Sequence, residues 1–335
     1  MTAKRILVTG AGGFIGHHLV RYLARKGHWV RGADLKRPEY AETDAAEFLV
    51  TDLRDAVNCA EAIEGVEDVY HLAADMGGIG YISAQRASIA RNDTLMNINM
   101  LDATIGSSVQ RFLYSSSACV YPHYLQTSTD VVPLKEDDAW PAQPEEGYGL
   151  EKLFAEKLCE YYTSDLALQT RVVRFHNVYG PLGTYDGGKE KVPAALCRKI
   201  ASVEDGGEIE VWGDGEQTRS FMYVDDCVEG IHRIMESGYD KPLNLGTDEM
   251  VTVNELVDLV AAAAGKRVRK RHDRTKPQGV RGRNSDNSRL REVLGWEPRI
   301  ALRDGIARTY PWIEGQVTRC SVGHELETSL LRSAE

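Results

Sequence analysis

No stretch of the chain approaches the ~20 consecutive apolar residues that a membrane-crossing helix needs. No cysteine pair stands at CxxC spacing. The six cysteines are scattered at 59, 119, 159, 197, 227 and 320, which offers neither a zinc-ligand set nor a disulfide framework. Positive charge is not in excess, with Lys plus Arg at 40 against Asp plus Glu at 50. That balance excludes a nucleic-acid binder working by bulk electrostatics. No low-complexity tract or internal repeat interrupts the sequence, and no apolar signal core precedes the strand-like Ile6-Leu7-Val8-Thr9. These absences together set the expectation of a reduced, cytoplasmic enzyme with no metal, no nucleic acid and no membrane among its partners.

What remains is ordinary globular composition: 335 residues, 42% hydrophobic and 27% charged. That length suits one large domain or two closely joined ones. In the first half, strand-like runs at 5–9, 29–33, 47–51, 68–73, 111–115 and 170–174 alternate with helical spacing at 14–25, 55–64, 83–106 and 148–164. Such alternation predicts a parallel sheet covered by helices on both faces. Beyond 175 the pattern loosens. Helices are expected at 192–201, 225–235, 253–264 and 286–294, the last two stopped by Gly265 and Gly295. Short strands are expected at 208–212, 218–223 and 243–245, and 181–192 reads as a functional loop.

Gly10-Ala11-Gly12-Gly13-Phe14-Ile15-Gly16 follows the first strand directly and opens the first helix. Gly10, Gly13 and Gly16 allow a tight turn, close approach of a pyrophosphate, and close packing of helix on strand. Phe14 and Ile15 begin the helix whose N–H groups face the phosphates. Asp34 ends the second strand, where a carboxylate accepts from an adenosine ribose hydroxyl and favours NAD over NADP. A plain strand-end carboxylate is the alternative, and Lys36 and Arg37 keep an NADP reading open. Asp52 is placed either against the adenine or as a loop or helix cap. The fold class is therefore α/β: a doubly wound parallel Rossmann sheet with a smaller C-terminal α/β substrate domain. Residues 1–175 form the dinucleotide domain, to which 224–247 returns. Residues 176–223 and 248–315 form the substrate domain, and 316–335 a polar, mobile tail.

Tyr148 and Lys152 stand at i and i+4, on one face of a helix. An ammonium near a phenol favours the phenolate, which can take a hydroxyl proton while hydride leaves the same carbon. The same spacing also occurs on plain amphipathic helices. Ser115-Ser116-Ser117-Ala118-Cys119 follows the fifth strand, at the sheet end where ligands bind. Ser117 is placed to bond the reacting hydroxyl, or else belongs to a Ser-rich turn. Arg281 and Arg283 suit bidentate contact with a diphosphate, and Asn177 and Lys199 are further candidates for that end. Met76, Gly77 and Gly78 offer backbone free of bulk beside a sugar ring. The basic run 266–274 reads as a surface strand edge, and Asp225-Asp226 as helix-start capping rather than a metal pair.

Taken together these segments resemble the extended short-chain dehydrogenase/reductase family, the NAD-dependent nucleotide-sugar epimerases and dehydratases. The resemblance spans nearly the whole chain. It includes the glycine loop, His71-Leu72-Ala73-Ala74, Tyr148 to Lys152, Arg174 to Pro181, and Arg219 to Asp226. Within the family, Met76 to Tyr81, Ser117 to Pro122, Gly187 to Pro193, Trp212 to Ser220 and Gly279 to Asn287 are similar to the GDP-mannose 3,5-epimerase branch.

The resemblance implies a GDP-linked hexose as substrate, with Ala118, Cys119, Glu190 and Lys191 beside it. It further implies that Cys119 is the base and Lys191 the acid at C3 and C5. A free thiol of ordinary pKa, ~8.5, is only slightly ionised at neutral pH, so a positive neighbour would help. The residues alone read Cys119 more readily as a buried inert thiol, and Lys191 as a solvated loop lysine. A 4-epimerase, a 4,6-dehydratase and a non-catalytic NAD-binding regulator are the alternative functions. The dehydratase pattern would place Asp-Glu where Ala118-Cys119 stands. Similar enzymes imply a homodimer built on helices 83–106 and 148–164, with Leu95, Ile98, Leu153 and Leu158 as contacts.

Overall fold

The computed structural model describes residues 3–276 and 278–332. Its first half runs β1 (Arg5–Thr9), α1 (Phe14–Arg25), β2 (Trp29–Asp34), β3 (Glu47–Val50), α2 (Ala56–Ile63) and β4 (Asp68–His71). Then come α3 (Ile79–Ala84), α4 (Arg86–Thr104), β5 (Arg111–Ser117), α5 (Tyr148–Leu166) and β6 (Gln169–Phe175). The second half runs β7 (Asn177–Tyr179), α6 (Val192–Ala201), β8 (Glu208–Trp212), β9 (Thr218–Tyr223), α7 (Val224–Glu236) and β10 (Leu243–Leu245). It ends with β11 (Met250–Thr252), α8 (Val253–Ala264), β12 (Arg269–Asp273), β13 (Gly282–Arg283), α9 (Ser288–Leu294) and α10 (Leu302–Arg332).

Seven strands form the main sheet in the order β10-β6-β5-β4-β1-β2-β3, all parallel. The central strands are apolar on both faces, as burial under two helical layers requires: Ile6, Leu7 and Val8 are all buried. The strand order reverses between β1 and β4, so a crevice opens beyond their C-terminal ends. The glycine loop leaves β1 at that crevice. The last strand, β10, comes from beyond β9 in sequence and pairs β6 through Leu243↔Val173 and Leu245↔Phe175. Against this sheet stands a smaller unit in which β11, β9 and β13 are neighbours and β7 also pairs β9. In it β12 runs parallel to β8 alone, so the basic run lies on a sheet edge.

Three expectations are corrected. The helix expected over 83–106 is two helices broken at Gln85, whose φ of -119° and ψ of 30° leave helical geometry. Asp226 does not cap its own helix; its carboxylate accepts from the backbone N–H groups of Arg299 and Ile300 and ties α7 to the chain entering α10. The polar stretch from 316 continues α10 as far as Arg332, and 333–335 lie outside the described residues. The strands not expected from the sequence, β7, β11 and β13, have at most three residues each, which leaves little alternation to register in sequence. Among the described residues no helix is long and apolar enough to cross a membrane. Nor do three or more His, Cys, Asp or Glu side chains gather to hold a metal ion.

Candidate active site

The glycine loop is shaped by contacts that no side chain would permit. Gly10 turns with φ +69°, and a Cβ on Gly16 would meet the Gly10 carbonyl oxygen at 2.0 Å. A Cβ on Gly12 would meet the Lys36 carbonyl oxygen at 2.0 Å. The loop thus lies against the end of β2. The N-terminus of α1 has no side-chain cap, which leaves the N–H groups from Phe14 onward for a phosphate. The Asp34 carboxylate accepts from Gly12 N at 3.0 Å and from Lys36 N at 3.2 Å. Burial raises its pKa against those bonds, and the remaining acceptor capacity suits a ribose diol. Lys36 pairs with Glu39 at 3.1 Å on the surface. These features fit NAD. The Asp52 carboxylate is held by the Arg54 backbone and guanidinium, at 2.6 Å from Nη2, and the cap of α2 is Asp55.

Beside the crevice, Tyr148 opens α5, preceded by Gly147 at φ +77°. Lys152 lies one turn on, 1% exposed, with its Nζ 5.5 Å from the centre of the Tyr148 ring and 4.9 Å from that of Tyr114. Its ammonium is buried and meets no hydrogen-bond partner within the protein, as suits a group kept for a ribose hydroxyl. The Ser117 hydroxyl lies close enough to the Tyr148 phenol to favour its ionised form. Burial pushes that phenol well above its usual range, and the charges of Cys119, Asp93 and Glu151 push the same way.

Ser117 also caps a single turn, Ala118–Val120, accepting from Cys119 N at 3.2 Å. Cys119 is half-buried, and the Arg283 Nη1 approaches its Sγ at 3.6 Å. Lys191 is exposed as a residue, and its ammonium donates to the Gly77 carbonyl at 3.1 Å. Burial lowers the Lys191 pKa, with Arg283 adding to the effect and Cys119 and Glu145 opposing it. A lysine of lowered pKa gives up its proton more readily, as an acid must. Met76 is exposed, and Gly78 has the Glu190 carbonyl 3.1 Å from where its Cβ would lie, so the segment 76–78 lines the same space as Lys191.

Other candidates have partners within the protein. Arg281 is paired with Asp214 at 2.8 Å, Asn177 donates to the Ser220 carbonyl at 3.0 Å, and Lys199 donates to the Glu210 carbonyl at 2.8 Å. Glu190 accepts from Gly188 N at 2.7 Å within its own loop. Arg219 was not singled out from the sequence. Its guanidinium is buried beside Arg283 and Cys119, and burial brings its pKa down to about 9. Its one sequence signal is an arginine between polar neighbours in an otherwise apolar strand. A separate cavity of about 760 Å³ has charges already paired, Arg174 with Glu156, Arg289 with Asp137 and Lys157 with Glu160.

The geometry therefore joins a dinucleotide cradle, a Tyr-Lys pair with a serine, and a thiol facing cations. Comparison with known proteins agrees. The NAD dependent epimerase/dehydratase family matches residues 6–246. The chain is 48% identical over 317 residues to GDP-mannose 3,5-epimerase 1 of Oryza sativa subsp. japonica, covering 94% of this chain and 83% of that one. It is 47% identical over the same length to GDP-mannose 3,5-epimerase of Arabidopsis thaliana, again covering 94% and 83%. The fold is similar to that of the UDP-glucose 4-epimerase of Thermotoga maritima solved with UDP-glucose, with a TM-score of 0.85 at 28% identity, over 93% of this chain and 99% of that one. The chain belongs to the NAD-dependent epimerase/dehydratase family.

Proposed function

We propose that this enzyme inverts C3 and C5 of the hexose in GDP-mannose, or in a close GDP-linked relative. The protein is an NAD-dependent nucleotide-sugar epimerase, and the observation that carries the finer reading is the meeting of Cys119, Lys191 and Arg283 beside Tyr148 and Ser117.

The glycine loop, Asp34 and Lys152 would hold the cofactor. Bound there, NAD supplies reversible acceptance of hydride from C4 of the sugar. Ser117 orients the C4 hydroxyl, and Tyr148 takes its proton. A carbonyl at C4 acidifies the protons on C3 and C5, since both carbons are then α to it. Cys119 removes such a proton, and Lys191 returns one on the opposite ring face. Each inversion thus exchanges one ring proton with solvent, and the net reaction is an isomerisation.

Incubation with GDP-mannose in heavy water, followed by product NMR, tests this. Deuterium at both C3 and C5 is expected. Inversion at C4 with no deuterium on the ring would point to a 4-epimerase, and no turnover to a binding protein.

The active unit is proposed to be a homodimer joined through α4 and α5. Leu150, Phe154 and Tyr161 leave about half their surfaces exposed on α5, whereas Leu153 is buried and Leu158 packs against the sheet's own core. The free thiol that the chemistry needs suits a reducing cytoplasm.

A further inference from the structure

Behind Lys152 lie two carboxyl groups that the proposed chemistry does not use. Asp93, on α4, is fully buried; its Oδ1 accepts from Asp75 N at 2.6 Å, and its Oδ2 has no partner within the protein. Glu151, on α5, is 4% exposed; its Oε1 accepts from the Asn97 amide, and its Oε2 is likewise without a partner. The Lys152 charge favours ionisation of both, while Asp93 opposes that of Glu151 and Asp75 opposes that of Asp93. Two carboxylates and one ammonium, all out of water, cannot all stay ionised without strong repulsion between the carboxylates. One of the two must hold a proton over part of the neutral range, and the pair titrates as a unit.

The other ionisable groups around Lys152 do not share that proton. From β4, His71 is locked between Thr9 at 2.8 Å and Asn97 at 2.9 Å, and burial holds it neutral with a pKa of about 3. From β5, burial pushes Tyr114 well up, and on α5 burial pushes Cys159 up too. Burial raises Asp93 to about 6 and Glu151 to about 7. Asp75, beside Asp93, is held by the Tyr81 hydroxyl at 2.7 Å and the Asn92 amide at 3.1 Å.

We infer that Asp93 and Glu151 are positioning residues whose shared titration sets the pH range in which Tyr148 acts as a base. Ionised, they cancel the field of Lys152 and repel the Tyr148 phenolate; protonated, they leave the ammonium unopposed. This rests on the role given to Tyr148 above.

The sign of the test follows. Asp93→Asn and Glu151→Gln keep an acceptor for Asp75 N and for Asn97 while removing a negative charge. Each should lower the pH at which Tyr148 ionises by about 1 unit, the scale of a nearby buried charge. Tyrosine labelled with ¹³C at Cζ reports that ionisation by NMR in the NAD-bound protein without sugar, with Tyr148→Phe assigning the signal. The acid limb of C4 hydride transfer, followed with GDP-mannose through the absorbance of reduced cofactor, should move down by the same amount. Carboxyl ¹³C NMR of the wild-type holoenzyme should show both groups titrating between pH 5 and 8. Unmoved Tyr148 ionisation in both amide variants would overturn the inference, as would carboxyls that titrate below pH 5. Uniform loss of rate with an unmoved limb would do the same, by assigning the pair to packing. Absence of hydride transfer in the wild type would sink the function proposed for Tyr148, while the two NMR titrations would still decide the electrostatic coupling.

Discussion

Gly149, the residue after Tyr148, lies against the carbonyl of Cys119: a Cβ built on it would meet that oxygen at 2.2 Å. The Glu145 N–H donates to the same oxygen at 3.0 Å. The helix carrying the proposed redox base and the turn carrying the proposed ring base are thus one joint. Because the obstructing atom is backbone, no side-chain rotation relieves the clash. Gly149→Ala should cost about 1–3 kcal/mol of stability. It should slow epimerisation by about 10²-fold through misplacement, while NAD remains bound. Turnover near the wild-type rate would show that the two segments move independently.

Cys119→Ala should separate the two halves of the chemistry. Hydride exchange at C4 should persist, while deuterium uptake at C3 and C5 falls by about 10²–10⁴-fold, the usual contribution of a positioned base. Lys191→Ala should leave proton removal in place and impair return on the opposite face, so exchange with retention outlasts inversion. Both are read from product NMR in heavy water. Undiminished deuterium uptake by Cys119→Ala would make the thiol a packing residue.

The ion pair of Arg174 and Glu156, at 2.7 Å with both side chains under 5% exposed, supports the turn after β5. Arg174 also donates to the Glu136 carbonyl and to the Tyr121 hydroxyl, and Ser116 donates to Glu156. Glu156→Ala would leave a buried guanidinium unpaired and should cost about 3–5 kcal/mol. Lys157→Ala, removing an exposed pair with Glu160, should cost less than about 0.5 kcal/mol. Urea unfolding of the two variants compares them directly.

Stability should fall on acidification through buried histidines. Burial lowers His71 and His176 to about 3, far below the ~6.5 of an unfolded histidine. A depressed basic group leaves the unfolded chain binding the extra proton. Its contribution is complete above pH 6.5 and is lost as pH falls below that value, by up to about 1.4 kcal/mol per pH unit for each group. His176→Gln, which can still bond Asn244, should flatten the decline between pH 6.5 and 4.5 by about that slope. A parallel decline in the variant would place the sensitivity elsewhere.

Much of this was legible in the sequence because the signals were local. The glycine spacing after β1, the i, i+4 pair Tyr148 and Lys152, and the stops at Gly265 and Gly295 each depend on neighbours a few residues apart. What stayed hidden depended on distant partners. That Arg281 pairs with Asp214, and Lys199 of α6 with the Glu210 carbonyl of β8, follows from segments meeting within the smaller unit. Asp93 and Glu151 carry no signal of their own in the sequence, because only the packing of α4 and α5 buries them. The break at Gln85 carries no proline or glycine to announce it.

The late arrival of β10 in the main sheet has a consequence for how the chain holds together after cleavage. Residues 243–245 lie beside β6 and far in sequence from β5, and α7 packs against α1. A protease cutting in the segment between β7 and α6 would sever one covalent link. The two fragments would still share a sheet edge and a buried helix pair, so the nicked protein should migrate as one particle until denaturant is added. A fragment ending near residue 180, made by itself, would instead present the open edge of β6, with Val172 and Val173 unshielded, and should aggregate.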